Sequence, residues 1–440
     1  MLLAGCIGLA VLPVLPASPA ASSPDQPLKD RWAKTTGSLR TSRYPGGVWI
    51  GYSIQRLMRE NSHIGSCRSD WENKPSLREI ITGQRFIDVE AGLSDSEVIR
   101  RTAHKIIETG KTREKPVKKV MKDVAILFLF KPGTGRDLIM DKLEISDLSL
   151  HFDLEELDLL WMGKAENRES ISLLEQLYGK ERSPEVRDDL VTAVSLHQEP
   201  EPVIRFLSGV INSREDDEIR ENAVFWAGQQ NHARALELLK KVAGSDRSTA
   251  VREKAVFSIS QMRSDESVQV LMDLAERGDP EEVREKAVFW LGQKDDPKLL
   301  KVLMRYAEND PSMKIRENAV FAINQMKSLE ALEALIQLAC HAKAKPVRKK
   351  AVFWLGQKAS RRAAESLEKL AYSDKDTEIQ VSAIFALSQL SNEESVPRLI
   401  DIARSHPSLR VRKRAIFWLG QSDDPRAVDA LVSMVRKSSE

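Results

Sequence analysis

The sequence predicts a mainly α protein: an α-solenoid of about nine two-helix repeats over 151–440, preceded by a small α+β domain over 23–150. Three observations carry this. The triplet Ala-Val/Ile-Phe returns at Ala223, Ala255, Ala287, Ala319, Ala351, Ala383 and Ala415, each step being 32 residues. Self-similarity at such a period marks a stack of supersecondary units. Each unit splits into two amphipathic stretches parted by turn residues, as at 282–294 and 298–308 around Asp295-Asp296-Pro297. The first third of the chain has no such period and instead carries β-branched and aromatic runs.

Taken in order, the chain opens on an apolar run, Leu2 to Leu15, followed by small residues at Ala17 to Ala21. That pattern predicts a secretory signal over 1–22, cleaved near Ala20, and so an exported protein, periplasmic or extracellular. No basic residue precedes the run, so a true start upstream of Met1 is an expectation that stays open. Two alternatives stay open: a lipid anchor through Cys6 in Leu3-Ala4-Gly5-Cys6, and an uncleaved or cytoplasmic chain. Pro13 and Pro16 break the run, and it is short for a membrane span, so none is expected after cleavage. Three cysteines build no disulfide framework, and a bridge between Cys67 and Cys340, in different regions, is not favoured.

Residues 47–54, 123–130 and 144–152 read as strands, the last two joined across Pro132-Gly133-Thr134-Gly135, and 96–108 as a helix. This domain is expected to cap one end of the solenoid. Gly133-Thr134-Gly135-Arg136 lacks the Gly-Lys-Ser/Thr of a phosphate-cradling loop. The Lys/Arg cluster from Lys111 to Lys122 reads as a solvated loop.

Within each repeat a Val or Ile stands four residues before the Ala, an Arg three before (Gln380 in one copy), and a Gln six after. A second period of 64 overlies the first. The residue after the Phe runs Trp226, Ser258, Trp290, Ala322, Trp354, Ala386, Trp418; four further on stand Gln230, Met262, Lys294, Met326, Lys358, Leu390, Ser422. Large and small residues alternate as close packing demands, which assigns the four Trp to the core between repeats. On that assignment Trp290→Ala costs about 3–5 kcal/mol through the cavity it leaves.

A helical wheel puts Val283, Ala287, Leu291 and Trp290 on one side and Glu285, Phe289 and Gln293 on the other. The outward side therefore carries Phe225, Phe257, Phe289, Phe321, Phe353, Phe385 and Phe417 beside Gln229, Gln261, Gln293, Gln325, Gln357, Gln389 and Gln421. Amides can pair with any peptide backbone, and rings supply apolar contact between such anchors. The face suits a protein or an extended peptide. The competing account is structural: the rings pack on neighbouring units and each Gln bonds the next helix.

The pattern Glu-Val-Arg-Glu-Lys-Ala-x-x-x-Leu-Gly at 282–292 closely resembles HEAT repeats of the short bacterial kind, also found in phycobilin lyases. Leu160 to Lys164 and Val186-Arg187 resemble two degenerate copies. The resemblance implies that the Val-Arg helix is the second of each pair and lines a concave groove. It also implies that an Asp in the inter-helix turn pairs with the Arg six residues later, as Asp246–Arg252 and Asp310–Arg316 would.

Composition narrows the function. Lys+Arg number 67 against 65 Asp+Glu, and 151–440 alone is near −4, which argues against nucleic acid as partner. HEAT-type iron enzymes use His-Glu dipeptides on successive repeats. None of the seven His here precedes a Glu or recurs at one repeat position, so neither a metal nor another cofactor is expected. The expectation is a non-catalytic, exported, protein-binding scaffold. The alternative is a HEAT-like enzyme or chromophore-handling factor using the same groove.

Overall fold

The computed structural model describes residues 26–65, 74–83, 118–133, 137–294, 296–358 and 360–437. The leader, Cys6, Cys67 and the helix expected over 96–108 lie outside them. The chain divides into two compact units, 1–214 and 215–440.

The first unit is built on a sheet. β1 (Val48–Arg59), β2 (Lys119–Pro132), β3 (Leu138–Asp147) and β4 (Asp158–Lys164) lie in the order β3-β2-β1-β4. β1 pairs antiparallel with β2 from Val48↔Phe130 to Arg59↔Lys119 and parallel with β4. The two central strands read as near-continuous apolar runs because both faces are covered. On one face Trp49, Leu127 and Leu129 pack with Leu77 of helix α2 (Leu77–Thr82), Leu148 and Phe152. On the other, Tyr52 and Phe128 stack with centroids 6.2 Å apart, and Trp32 of helix α1 (Leu28–Gly37) meets Phe128 edge-on at 4.8 Å.

Two expectations are corrected here. The third strand runs 138–147, not 144–152: Leu148 and Phe152 turn into the core beneath α2 instead of continuing the ladder. Leu160-Trp161-Met162-Gly163-Lys164 is strand β4, not a degenerate repeat. Its Leu-Trp-Met-Gly imitates a helix end, but Gly163 has φ +82°, and Arg31 donates to the carbonyls of Met162 and Lys164. The sheet thus extends past residue 150, where the sequence ended the domain. Helices Asn167–Lys180, Pro184–Ser195 and Pro200–Ile211 complete this unit. Ser170, on the first of them, accepts or donates at 2.8 Å to both Tyr52 Oη and His197 Nε2, and all three side chains are buried.

The second unit repeats. Seven motif helices, Asp217–Gln229, Thr249–Gln261, Glu281–Gln293, Met313–Gln325, Lys345–Gly356, Thr377–Ser388 and Leu409–Leu419, alternate with seven companions. The companions are Ala233–Ser245, Asp265–Arg277, Pro297–Asn309, Leu329–His341, Arg361–Ser373, Asn392–Ser405 and Pro425–Lys437. Ser264, Ser312, Ser328 and Ser360 cap helix starts by accepting a backbone N–H three residues on. The recurring Ala, and the Val or Ile four before it, are wholly buried wherever they occur internally, as at Val283 and Ala287. The period of 32 is therefore the period of the core.

The turn acids do not pair as the resemblance implied. The carboxylates of Asp246, Asp310 and Asp374 hold Arg220, Arg284 and Arg348 of the preceding motif helix, 26 residues earlier. The Arg six residues on, Arg252 or Arg316, donates instead to the Asp backbone carbonyl, and Gln380 does the same for Asp374 at 2.9 Å. One Asp therefore ties three chain segments. At the last such turn buried His406 stands in, donating through Nε2 to Ala371 O at 2.9 Å. Among the described residues no helix is long and apolar enough to cross a membrane.

Candidate functional site

Every motif helix sends its Phe to the same side, and the rings meet. Starting at Trp226 the contacts run through Phe225, Phe257, Trp290, Phe289, Phe321, Trp354, Phe353, Phe385 and Trp418 to Phe417. Neighbouring centroids lie 4.9 to 6.5 Å apart, and no gap interrupts the eleven rings. Stacked Phe–Phe pairs alternate with tilted Phe–Trp pairs, both favoured geometries for quadrupolar rings.

The ladder reaches solvent. Five of the Phe are half-buried, while Phe353 is 39% and Phe417 49% exposed. The Gln lie alongside, exposed except for half-buried Gln325. Gln261 and Gln389 donate to the Ser beside them, and among the described residues none of the seven amides bonds a neighbouring repeat. Of the structural account, then, the ring packing holds and the amide bonding between helices does not.

The Trp are where the wheel misleads. They are half-buried at the surface of this same face, and Trp290, Trp354 and Trp418 each lie against the Phe of the preceding repeat. The cause is a two-fold alternation in the spacing of motif helices. At Gly228, Gly292 and Gly356 the backbone meets Ser258, Ala322 and Ala386 so closely that an added Cβ would lie 2.6 to 2.8 Å from their nearest atoms. These are tight junctions, which explain the small residues at every second position. The junctions between them are wider, and there an indole fills the mouth. Below it Lys294 reaches Met262 O at 3.0 Å, and Lys358 reaches Asn324 O at 2.7 Å. Burial lowers the pKa of both ammonium groups.

Charges flank the rings and largely cancel. Glu221 pairs with Lys254 at 3.5 Å, Glu253 with Lys286 at 3.1 Å, and Glu317 with Lys350 at 3.9 Å, each across one repeat. Glu285 takes Lys314, and Glu378 takes Lys345 and Lys349, which hold its carboxyl down at about 2. Between Phe257, Phe289, Trp290 and Phe321 this face sinks into a depression of about 540 Å³, edged by Glu253 and Lys286. Among the described residues no group of His, Cys, Asp or Glu has the makings of a metal site.

Two family models match the sequence. HEAT repeats match over 204–288, 273–355 and 337–410, and the PBS lyase HEAT-like repeat over 411–436. No curated protein matches it in sequence. Among solved structures, human deoxyhypusine hydroxylase in complex with glycerol is 18% identical with a TM-score of 0.26, over 61% of this chain and 97% of that one. The CpcE–CpcF complex of phycocyanin lyase from Nostoc is 17% identical with a TM-score of 0.26, over 52% and 94%. Yeast importin-β is 13% identical with a TM-score of 0.35, over 60% and 42%. With its sequence matched over 204–436 and its helices paired at the same period, the chain belongs to the HEAT-repeat proteins.

Proposed function

We propose that the chain is an exported, non-catalytic scaffold that holds a protein, as an extended segment, along the row of motif helices. The unbroken and solvent-reachable ring ladder carries this reading. An apolar strip lined by amides that serve no neighbouring repeat offers side-chain contact and backbone pairing together. Successive motif helices pack along their lengths, whereas successive companions meet only locally. That difference supports placing the motif row on the inner, concave side of a curved stack. The internally paired charges suit a polypeptide better than nucleic acid, which needs unpaired cations along its whole track. The apolar run at 2–15 supports export, with a lipid anchor at Cys6 as the other form of it.

A photo-reactive residue placed at Gln293 or Gln357 in the full chain, expressed in its own cells, tests this. One protein should be captured from both positions and none from Lys240 on a companion helix. Substituting Phe289, Phe321 and Phe353 together by Ser should abolish capture. Equal labelling from all three positions, or capture that survives the triple substitution, overturns the reading. A bound chromophore or stoichiometric metal in the purified protein would favour the enzymatic alternative.

A further inference from the structure

The face is not electrically uniform along its length. Over the first six motif helices its cations are met by acids of neighbouring repeats, the last being Lys345 and Lys349 on Glu378 at 2.8 and 2.7 Å. On the seventh helix Arg410, Lys413 and Arg414 are exposed, and none has a carboxylate within ion-pair distance among the described residues. The sequence gives the reason. The Glu that pairs with each Lys stands 33 residues before it, and 33 residues before Arg414 stands Val381. Where earlier repeats carry Glu221, Glu253, Glu285 and Glu317, this one carries Lys413. Arg414 spreads over the last two rings instead, 5.3 Å from Phe417 and 5.7 Å from Trp418. Phe417 is the most exposed Phe of the ladder.

We infer that the Arg410–Lys413–Arg414 end of the row receives an acidic, Asp/Glu-rich stretch of the bound polypeptide and so fixes its direction in the groove. Three cations that meet no carboxylate among the described residues, beside an exposed ring, form a site complementary to an acidic partner, and Arg is suited to bidentate carboxylate binding. A polypeptide lying the other way would bring its acidic stretch against Glu221 and Glu253, whose charges Lys254 and Lys286 already meet, so it would find no free cation there, and that difference supplies the discrimination. The assignment rests on the proposed function for the rest of the row.

Fluorescence anisotropy on the full chain tests it with three labelled peptides of one neutral, extended core: Asp/Glu-tailed at the C-terminus, at the N-terminus, or untailed. One acidic tail should bind about tenfold tighter than the untailed core, with the opposite tail no better than the core. Added salt should erase the gain. Substituting Arg410, Lys413 and Arg414 by Gln should remove it while the protein stays folded and still binds the untailed core. Core binding without a tail preference would overturn this inference and leave the groove standing. Tail binding that needs the three cations but not Phe289, Phe321 and Phe353 would keep the basic end and sink the groove. Equal competition by a single-stranded oligonucleotide of the same charge would show that the site reads charge alone, and would overturn the assignment.

Discussion

Gly292 and Ala322 stand closer than any two residues with side chains could: a Cβ on Gly292 would lie 2.6 Å from the Ala322 carbonyl oxygen and 2.7 Å from its Cα and Cβ. The obstruction is backbone, which cannot rotate aside. Gly292→Ala is expected to destabilise the second unit by about 1–3 kcal/mol, the usual range for overpacking. Gly420→Ala is the control, since its nearest neighbours would be at 3.4 and 3.6 Å. Urea melts of both variants check this; equal stability would remove the tight junction as a constraint.

Arg284 is only 15% exposed and its partner Asp310 only 4%. Replacing Arg284 by Met strands a buried carboxylate and should cost about 3 kcal/mol. Arg316→Gln should cost under about 1 kcal/mol, because it only donates to a carbonyl, and Gln380 already performs that task in its own repeat. Thermal melts should separate the two variants widely.

His197 is buried between Ser170 and the carbonyls of Ala193 and Val194, and burial pushes its pKa down to about 4. The unfolded imidazole titrates near 6.5, so between those values the unfolded state binds the extra proton. Stability of the first unit should therefore be complete above pH 6.5 and fall by about 3 kcal/mol as pH drops to 4. Hydrogen exchange of the β1 amides around Tyr52 reports it locally. His197→Gln, which can still reach Ser170, should flatten the profile.

Because Trp290 is half-buried, Trp290→Ala should cost about 1–2 kcal/mol, less than a core indole would. It should also increase the exposure of Phe257, its neighbour at 5.1 Å. Denaturant melts with ring-proton shifts for Phe257 check both. A loss above about 4 kcal/mol would restore the core assignment.

What could be read from sequence followed the spacing of each interaction. Val283, Ala287 and Leu291 were legible because their burial recurs in every repeat with the period of the helix itself. The Phe and Gln positions were legible for the same reason, being the opposite arc of that wheel. β1 and β2 announced themselves as long apolar runs because both faces of the sheet are covered. Trp290 was misassigned because its environment depends on the junction with the preceding repeat, which a single-helix wheel does not contain. The Asp310 partner was missed since Arg284 lies in another repeat, whereas the nearer Arg316 suggested itself. β4 was hidden by a Leu-Trp-Met-Gly string that fits a helix terminus as well as a strand.

The alternation of tight and wide junctions has a consequence for how such an array can change length. Removing or adding one 32-residue copy would bring two indole-bearing helices together, or two small-faced ones, and neither meeting has the complement it needs. Only even steps preserve every junction, so the heritable brick of this rod is the doublet, and natural variants of it should differ by multiples of 64 residues.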